Sequence, residues 1–337
     1  MKRILLMVAT LMIFGLECQA DTFHIEVLQV AKIPQFTYAY HGFLDELGKQ
    51  GIKEGENLVI NRHIVDADAN AGMWQKIWIL RNIKKTAAKI IDSKPDLVLT
   101  IGTPATKYSK EKFIDAHIPV VFTAVAVPEA VGCKNISISG AGFTGSTVYM
   151  DPISVIKIAR LAFPNLKKLG IVHSDDDNAI AFSEETKKKA PSLGIEIFTE
   201  EVNKSDSIIP ATKRLMAKGV DAFGIPIDAY YALNNGKAGN DLINTGLKAD
   251  IPTISFAVST SDTAESIKGA VLYIGADFYV IGGFSGTQAV KILKDGAKPG
   301  DLPVLRQEDL LIQVDLEAAK KLGIELPLSI LKLAEEV

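Results

Sequence analysis

The sequence predicts an α/β protein of two Rossmann-like lobes with mostly parallel sheets, joined by a hinge that the chain crosses more than once. Three observations carry this. Short β-branched runs alternate with helical stretches along the chain, the rhythm of repeated βαβ units. A glycine-rich passage, Gly140-Ala141-Gly142-Phe143-Thr144-Gly145, interrupts that rhythm and divides it into two series. The length of 337 residues exceeds the usual size of one domain and gives two cores ample chain.

The first residues read as an export signal. Lys2 and Arg3 form a short positive region, Ile4 to Leu16 an apolar stretch, and Cys18-Gln19-Ala20 offers small residues for cleavage before Asp21. The apolar run is shorter than the ~20 residues a spanning helix needs, and Glu17 and Gln19 close it. Glu17 also stands where lipid attachment at Cys18 would want a small residue. Residues 1–20 are therefore expected to be a cleaved signal peptide rather than an anchor.

In the first series, strands are expected at His24–Val30, Asn57–His63, Leu97–Ile101 and Val120–Ala124, with helices at Tyr38–Gln50 and Ala71–Ser93. Lys94-Pro95-Asp96 ends the second helix, because the residue before proline disfavours the helical region. The second series opens at Asp151-Pro152, an N-cap followed by proline at the first helical position. Helices are expected at Ile153–Phe163, Ala179–Ala190, Ile208–Lys218 and Asn234–Ala249. They alternate with strands Leu169–His173, Glu196–Val202, Ala222–Pro226, Thr253–Phe256 and Ala270–Ile274, and a helix Tyr279–Asp295 follows. Gly194 and Gly219 supply the left-handed residue that stops two of these helices. The expected lobes are 21–140 with 275–302, and 141–274 with 303–337. Their crossings fall at the glycine passage, near Gly275 and near Leu302-Pro303.

Composition removes several function classes. The formal charge is −3, moving to −4 without Lys2, Arg3 and Glu17, and no basic patch speaks for nucleic acid. Beyond the signal only Cys133 remains, so no intramolecular disulfide is expected, and the cysteine and histidine spacing of zinc sites is absent. Gly140, Gly142 and Gly145 form a G-x-G-x-x-G pattern, yet the next helix waits until Asp151-Pro152 and no carboxylate stands ~20 residues on to hold a ribose. A hinge is the better reading of these glycines. Phosphate-loop, zinc-protease and nucleophile-elbow motifs do not occur, and the histidines are scattered, so no catalytic role and no cofactor are assigned. Asp175-Asp176-Asp177-Asn178 could hold a hard cation, but its place before a helix favours an N-cap. That helix start could still face a ligand carboxylate. Trp74 and Trp78 share a helix face, for which packing is the simpler reading.

Open α/β sheets bind ligands at the C-terminal ends of their strands. Those ends hold Ile33-Pro34-Gln35-Phe36, Thr103-Pro104, Val125-Ala126-Val127, Asp175 to Asn178, Pro226-Ile227-Asp228, Phe256 to Ser259 and Asp277. They mix apolar surface with a few polar groups, the composition of a small-molecule cleft.

Several of these segments carry a family resemblance. Lys94-Pro95-Asp96-Leu97-Val98, Gly102-Thr103-Pro104-Ala105 and Ile118-Pro119-Val120-Val121-Phe122-Thr123-Ala124-Val125 are similar to the ABC-transporter substrate-binding proteins of the tryptophan/tyrosine type. So are Ala162-Phe163-Pro164-Asn165-Leu166, Pro226-Ile227-Asp228, Gly275-Ala276-Asp277-Phe278-Tyr279 and Asp315-Leu316-Glu317-Ala318-Ala319. The resemblance implies a type I periplasmic-binding-protein fold, three hinge crossings, a periplasmic location and a monomer that delivers a small-molecule ligand to a membrane permease. A subunit reporting to a membrane receptor would use the same fold.

Carried over by position, the ligand loops hold Gln35, Thr103, Asn178, Asp228 and Asp277. Asp277 is expected to meet a ligand ammonium, and Asn178 with its helix start a carboxylate. Phe36, Pro104, Val127, Ala179 and Tyr230 join them from the same loops. Two positions depart from the family pattern: Val127-Pro128 replaces an aspartate before proline, and Asn178-Ala179 lacks the usual serine hydroxyl.

Overall fold

The structure, a computed structural model, describes residues 22–65, 73–257 and 267–337. The expected signal with Cys18, the Trp74 side chain and the Val258-Ser259 end of one strand loop lie outside the described residues. The chain begins β1 (Phe23–Val30), α1 (Pro34–Lys49), β2 (Leu58–Val65), α2 (Met73–Asp92), β3 (Leu97–Ile101), α3 (Thr103–Asp115), β4 (Val120–Val125) and β5 (Phe143–Thr147). It continues α4 (Pro152–Ala162), β6 (Lys168–Ser174), α5 (Asp177–Lys189), β7 (Glu196–Val202), α6 (Ile209–Ala217), β8 (Ala222–Ile225), α7 (Ala229–Ala232), α8 (Lys237–Leu247), β9 (Thr253–Ser255) and β10 (Leu272–Gly275). It ends α9 (Phe278–Asp295), β11 (Leu305–Arg306), β12 (Leu311–Val314), α10 (Leu316–Lys321), α11 (Leu328–Leu331) and β13 (Glu335–Glu336).

Two sheets form, in the orders β11-β5-β4-β3-β1-β2 and β13-β12-β10-β9-β8-β6-β7. Every pairing between these strands is parallel except β10 with β12. This is the two-lobe α/β architecture expected. Central strands such as β3 and β4 are buried along their whole length, as parallel strands covered by helices on both faces must be.

The position of the first crossover differs from expectation. Phe143–Thr147 is a buried strand of the first sheet, paired with β4, so the glycine passage is not the hinge. Gly145 is needed for sheet packing: a Cβ there would lie 2.1 Å from the Phe122 carbonyl oxygen. The chain instead leaves the first sheet at 148–151, returns at 276–277 between β10 and α9, and leaves again at 307–310 between β11 and β12. The boundaries expected at 140 and 302 thus fall several residues too early.

α3 was not expected either, and the reason is chemical. Its buried positions include Thr103, Thr106, Ser109 and Lys110, so no apolar period marks the helix. Thr106 Oγ1 reaches the Gly102 carbonyl and Thr100, and Ser109 Oγ donates to the Ala105 carbonyl, which satisfies these hydroxyls internally. In the first lobe α1 packs directly on α9. A Cβ on Gly42 would lie 1.9 Å from the Tyr279 carbonyl oxygen, and one on Gly282 1.9 Å from that of Ala39. These glycines let the two backbones touch and hold the start of α1 in place.

Candidate functional site

The C-terminal ends of the parallel strands in both sheets face a common cleft, where a cavity of ≈ 200 Å³ lies. The first lobe lines it with Val30 and Ala31 after β1, Ile33, Gln35 and Phe36 at the start of α1, Ile79 of α2, Thr103 and Pro104 of α3, and Ala124 and Ala126 of the β4 end. The second lobe contributes Asp176 and Asn178 at α5, Lys204 after β7, Ile227 and Asp228 after β8, and Tyr231 and Leu233 beyond. Val148 and Phe278 enter from the crossings.

The first wall is apolar and its backbone is sharply shaped. Ala31 and Ala124 both hold positive φ, 72° and 56°. Ala124 sits where the β4–β5 register shifts between Phe122 and Val125, a bulge that turns the strand end into the cleft. Buried Gln29 donates to the Ala31 carbonyl at 2.6 Å and accepts from Arg62 Nε at 3.0 Å, which fixes the β1 end. The α1 and α3 starts carry no side-chain cap and no acidic residue in the first turn. Gly102, the N-cap of α3, has φ 88°, and the Phe36 ring fills the place its Cβ would take. Uncapped N–H groups and the helix dipole make such starts attractive to an anion.

The second wall is charged, and its helix starts are capped. Asp176 Oδ1 accepts from the Asn178 N–H at 3.0 Å, while Oδ2 lies 3.2 Å from Lys204 Nζ. The cap reading of the aspartate run is therefore the observed one, and this start is not left open for a carboxylate. Asp228 caps α7 through the Tyr230 N–H at 2.9 Å, and also accepts from the Ser174 N–H at 2.7 Å and hydroxyl at 2.9 Å. Burial, then the Asp176 charge, push Asp228 up to about 6; the N–H donors and Lys204 oppose that rise. Lys204 is depressed by burial, but the carboxylates of Asp176 and Asp228 outweigh that and raise it, so it stays protonated. Thr103 Oγ1 donates to Asn178 Oδ1 at 2.9 Å, directly joining the two walls.

Of the residues singled out from the sequence, Gln35, Phe36, Thr103, Pro104, Asn178 and Asp228 line the cavity, and Val127, Ala179, Tyr230 and Asp277 do not. Val127 precedes the 3₁₀ turn Pro128–Val131, and Ala179 is fully buried within α5. Tyr230 packs edge-on against Tyr231, and its hydroxyl donates to the Asp206 carbonyl. Asp277 caps α9 by accepting from the Tyr279 N–H, and its own N–H donates to Gln307 of the third crossing. Sequence reasoning missed Lys204. It follows β7, and the strand-end rule that found the other loops would have found it.

The sequence from 24 to 337 matches the family model described as ABC transporter substrate binding protein. The chain belongs to that family. Its proteins bind a small-molecule ligand and do not transform it. A tyrosine-binding protein of Clostridioides difficile (strain R20291) is 22% identical over 90% of this chain and 81% of that protein. Among solved structures, a conserved domain protein from Vibrio cholerae is 25% identical, with a TM-score of 0.77 over 94% of this chain and 99% of that one. An ABC domain from Streptococcus pneumonia in complex with L-Trp is 24% identical, with a TM-score of 0.75 over 94% and 100%. Such proteins typically work outside the cytoplasm, and no helix among the described residues is long and apolar enough to cross a membrane.

Proposed function

We propose that the chain is the periplasmic receptor of an ABC importer, exported by a signal peptide removed after Ala20, and that it holds an amino-acid-like ligand in the cavity between its lobes. One observation carries the ligand assignment: two uncapped helix starts face two aspartates across a mostly apolar space. A zwitterion fits that polarity. Its carboxylate would lie at the starts of α1 and α3, its ammonium beside Asp176 and Asp228, and its side chain among Phe36, Ile79, Ile227, Leu233 and Phe278. The tyrosine-binding relative and the L-Trp complex support an amino acid with a large apolar side chain.

A ligand that touches both walls binds the closed arrangement better than the open one and shifts the population towards it. A permease then reads the closed monomer. No cofactor takes part, and nucleic acid is not a partner.

A thermal-shift screen of the exported form against the common amino acids tests this reading. A ligand at ~100-fold excess over Kd adds about 2.7 kcal/mol of stability, and at least one apolar or aromatic amino acid is expected to do so. A screen without any shift contradicts the amino-acid assignment.

A further inference from the structure

Within the amino-acid reading, on which this rests, we propose that the amine is the obligatory part of the ligand and the carboxylate is dispensable, so that primary amines with an apolar body are ligands too. Asp176, Asp228 and Lys204 are the charged residues lining the cavity among those described, and all three belong to the second wall. Among the described residues no arginine lines it to clasp a carboxylate with a planar fork. Lys204 is held by Asp176, and a carboxylate reaching it there would meet both aspartates.

The first wall offers an anion only partial charge, about +0.5 at a helix start. Each of its two starts is further weakened by a proline in the first turn, Pro34 and Pro104, which has no N–H to give. A ligand carboxylate is therefore accommodated there, but by partial charge alone, and is held more weakly than an ammonium beside two full carboxylates.

The ammonium is served differently. A carboxylate has about four lone-pair sites. Among the described residues, the protein's own donors occupy three on Asp228 and two on Asp176. Acceptor capacity remains for the three donors of an ammonium, beside buried Asp228, whose charge burial and the neighbouring Asp176 disfavour. The apolar residues Phe36, Ile79, Ile227, Leu233 and Phe278 then surround the rest of the molecule.

The test is titration calorimetry of the exported form at pH 7.5 with matched triads: L-tryptophan, tryptamine and indole-3-propionate, and the same for tyrosine, phenylalanine and leucine. In the triad whose amino acid binds best, the amine is expected within about tenfold of the amino acid and the deaminated acid weaker by about 100-fold or more, the range of charged hydrogen bonds. Asp176→Asn, which keeps the helix cap, should weaken amine and amino acid alike by about tenfold or more and leave the acid no weaker. An amine that binds much more than tenfold weaker than its amino acid, whatever the acid does, would overturn the inference and leave the amino-acid reading standing. So would an amine whose affinity ignores Asp176→Asn. Failure of every compound in every triad would remove both.

Discussion

The two walls of the cleft are built by the same fold and present opposite chemistry. Each wall consists of strand ends followed by helix starts. On the first, α1 and α3 begin at Ile33 and Gly102, neither of which can cap with a side chain, and prolines follow at once. On the second, α5 and α7 begin at Asp176 and Asp228, which cap the helices and leave carboxylate oxygens at the cavity. The residue at a single position of each helix, the N-cap, thus sets the sign of the wall. The scaffolds differ as well: the first wall rests on the glycine-mediated contact of α1 with α9, while the second has loops pinned by Asp228 to Ser174.

The largest effect is expected where the first wall is anchored. Gly282→Val would drive a side chain into the Ala39 carbonyl, and overpacking of this kind costs about 3 kcal/mol. Denaturant unfolding should show that loss.

The second wall should respond to pH and the first should not. Asp228 titrates near 6 in the fold against 3.8 unfolded. Between those values the unfolded chain has already lost its proton while the folded one keeps it, so this group's contribution to stability is full below pH 3.8 and declines as pH rises through 6. Ligand affinity should run the opposite way, strengthening as pH rises through about 6 because an ammonium needs the ionised carboxylate. Affinity measured from pH 5 to 8 should show the rise, and Asp228→Asn should flatten it. A flat profile in the wild-type protein would place the ammonium elsewhere.

The smallest effect concerns the contact between the walls. Thr103→Val removes the hydroxyl that bonds Asn178, worth about 1 kcal/mol. Binding should weaken by about tenfold or less, with a faster dissociation rate as the closed form loses one bond.

Much of this architecture was legible in the sequence because parallel strands and amphipathic helices write their periods in apolar residues. The expected strand Leu97–Ile101 and the helix over Ile153–Phe163 are both found, the helix shifted by one residue. Legibility failed where polar groups are buried and satisfied locally. α3 hides its helix behind Thr106 and Ser109, and β5 hides a buried strand behind glycines that read as a linker. In the site, strand ends pointed to Gln35, Thr103, Asn178 and Asp228. Asp277 shows the limit of that rule: an aspartate that caps a helix reaches the cavity at Asp176 and Asp228 but not at Asp277, and only three-dimensional packing decides. Here the Tyr279 N–H binds the carboxylate, and Asp277 does not line the cavity.

The most direct test of a ligand bridging the two walls is a distance measurement between the lobes. Lys89→Cys on α2 and Lys187→Cys on α5 place spin labels at exposed positions on opposite sides of the cleft. Buried Cys133, whose thiol burial pushes up to about 12, should escape labelling. Pulsed electron–electron resonance is then recorded without ligand and with a saturating amino acid that binds. Ligand that bridges the walls should gather the distances into one short, narrow population. Saturating ligand that leaves the distribution unchanged would contradict the bridging.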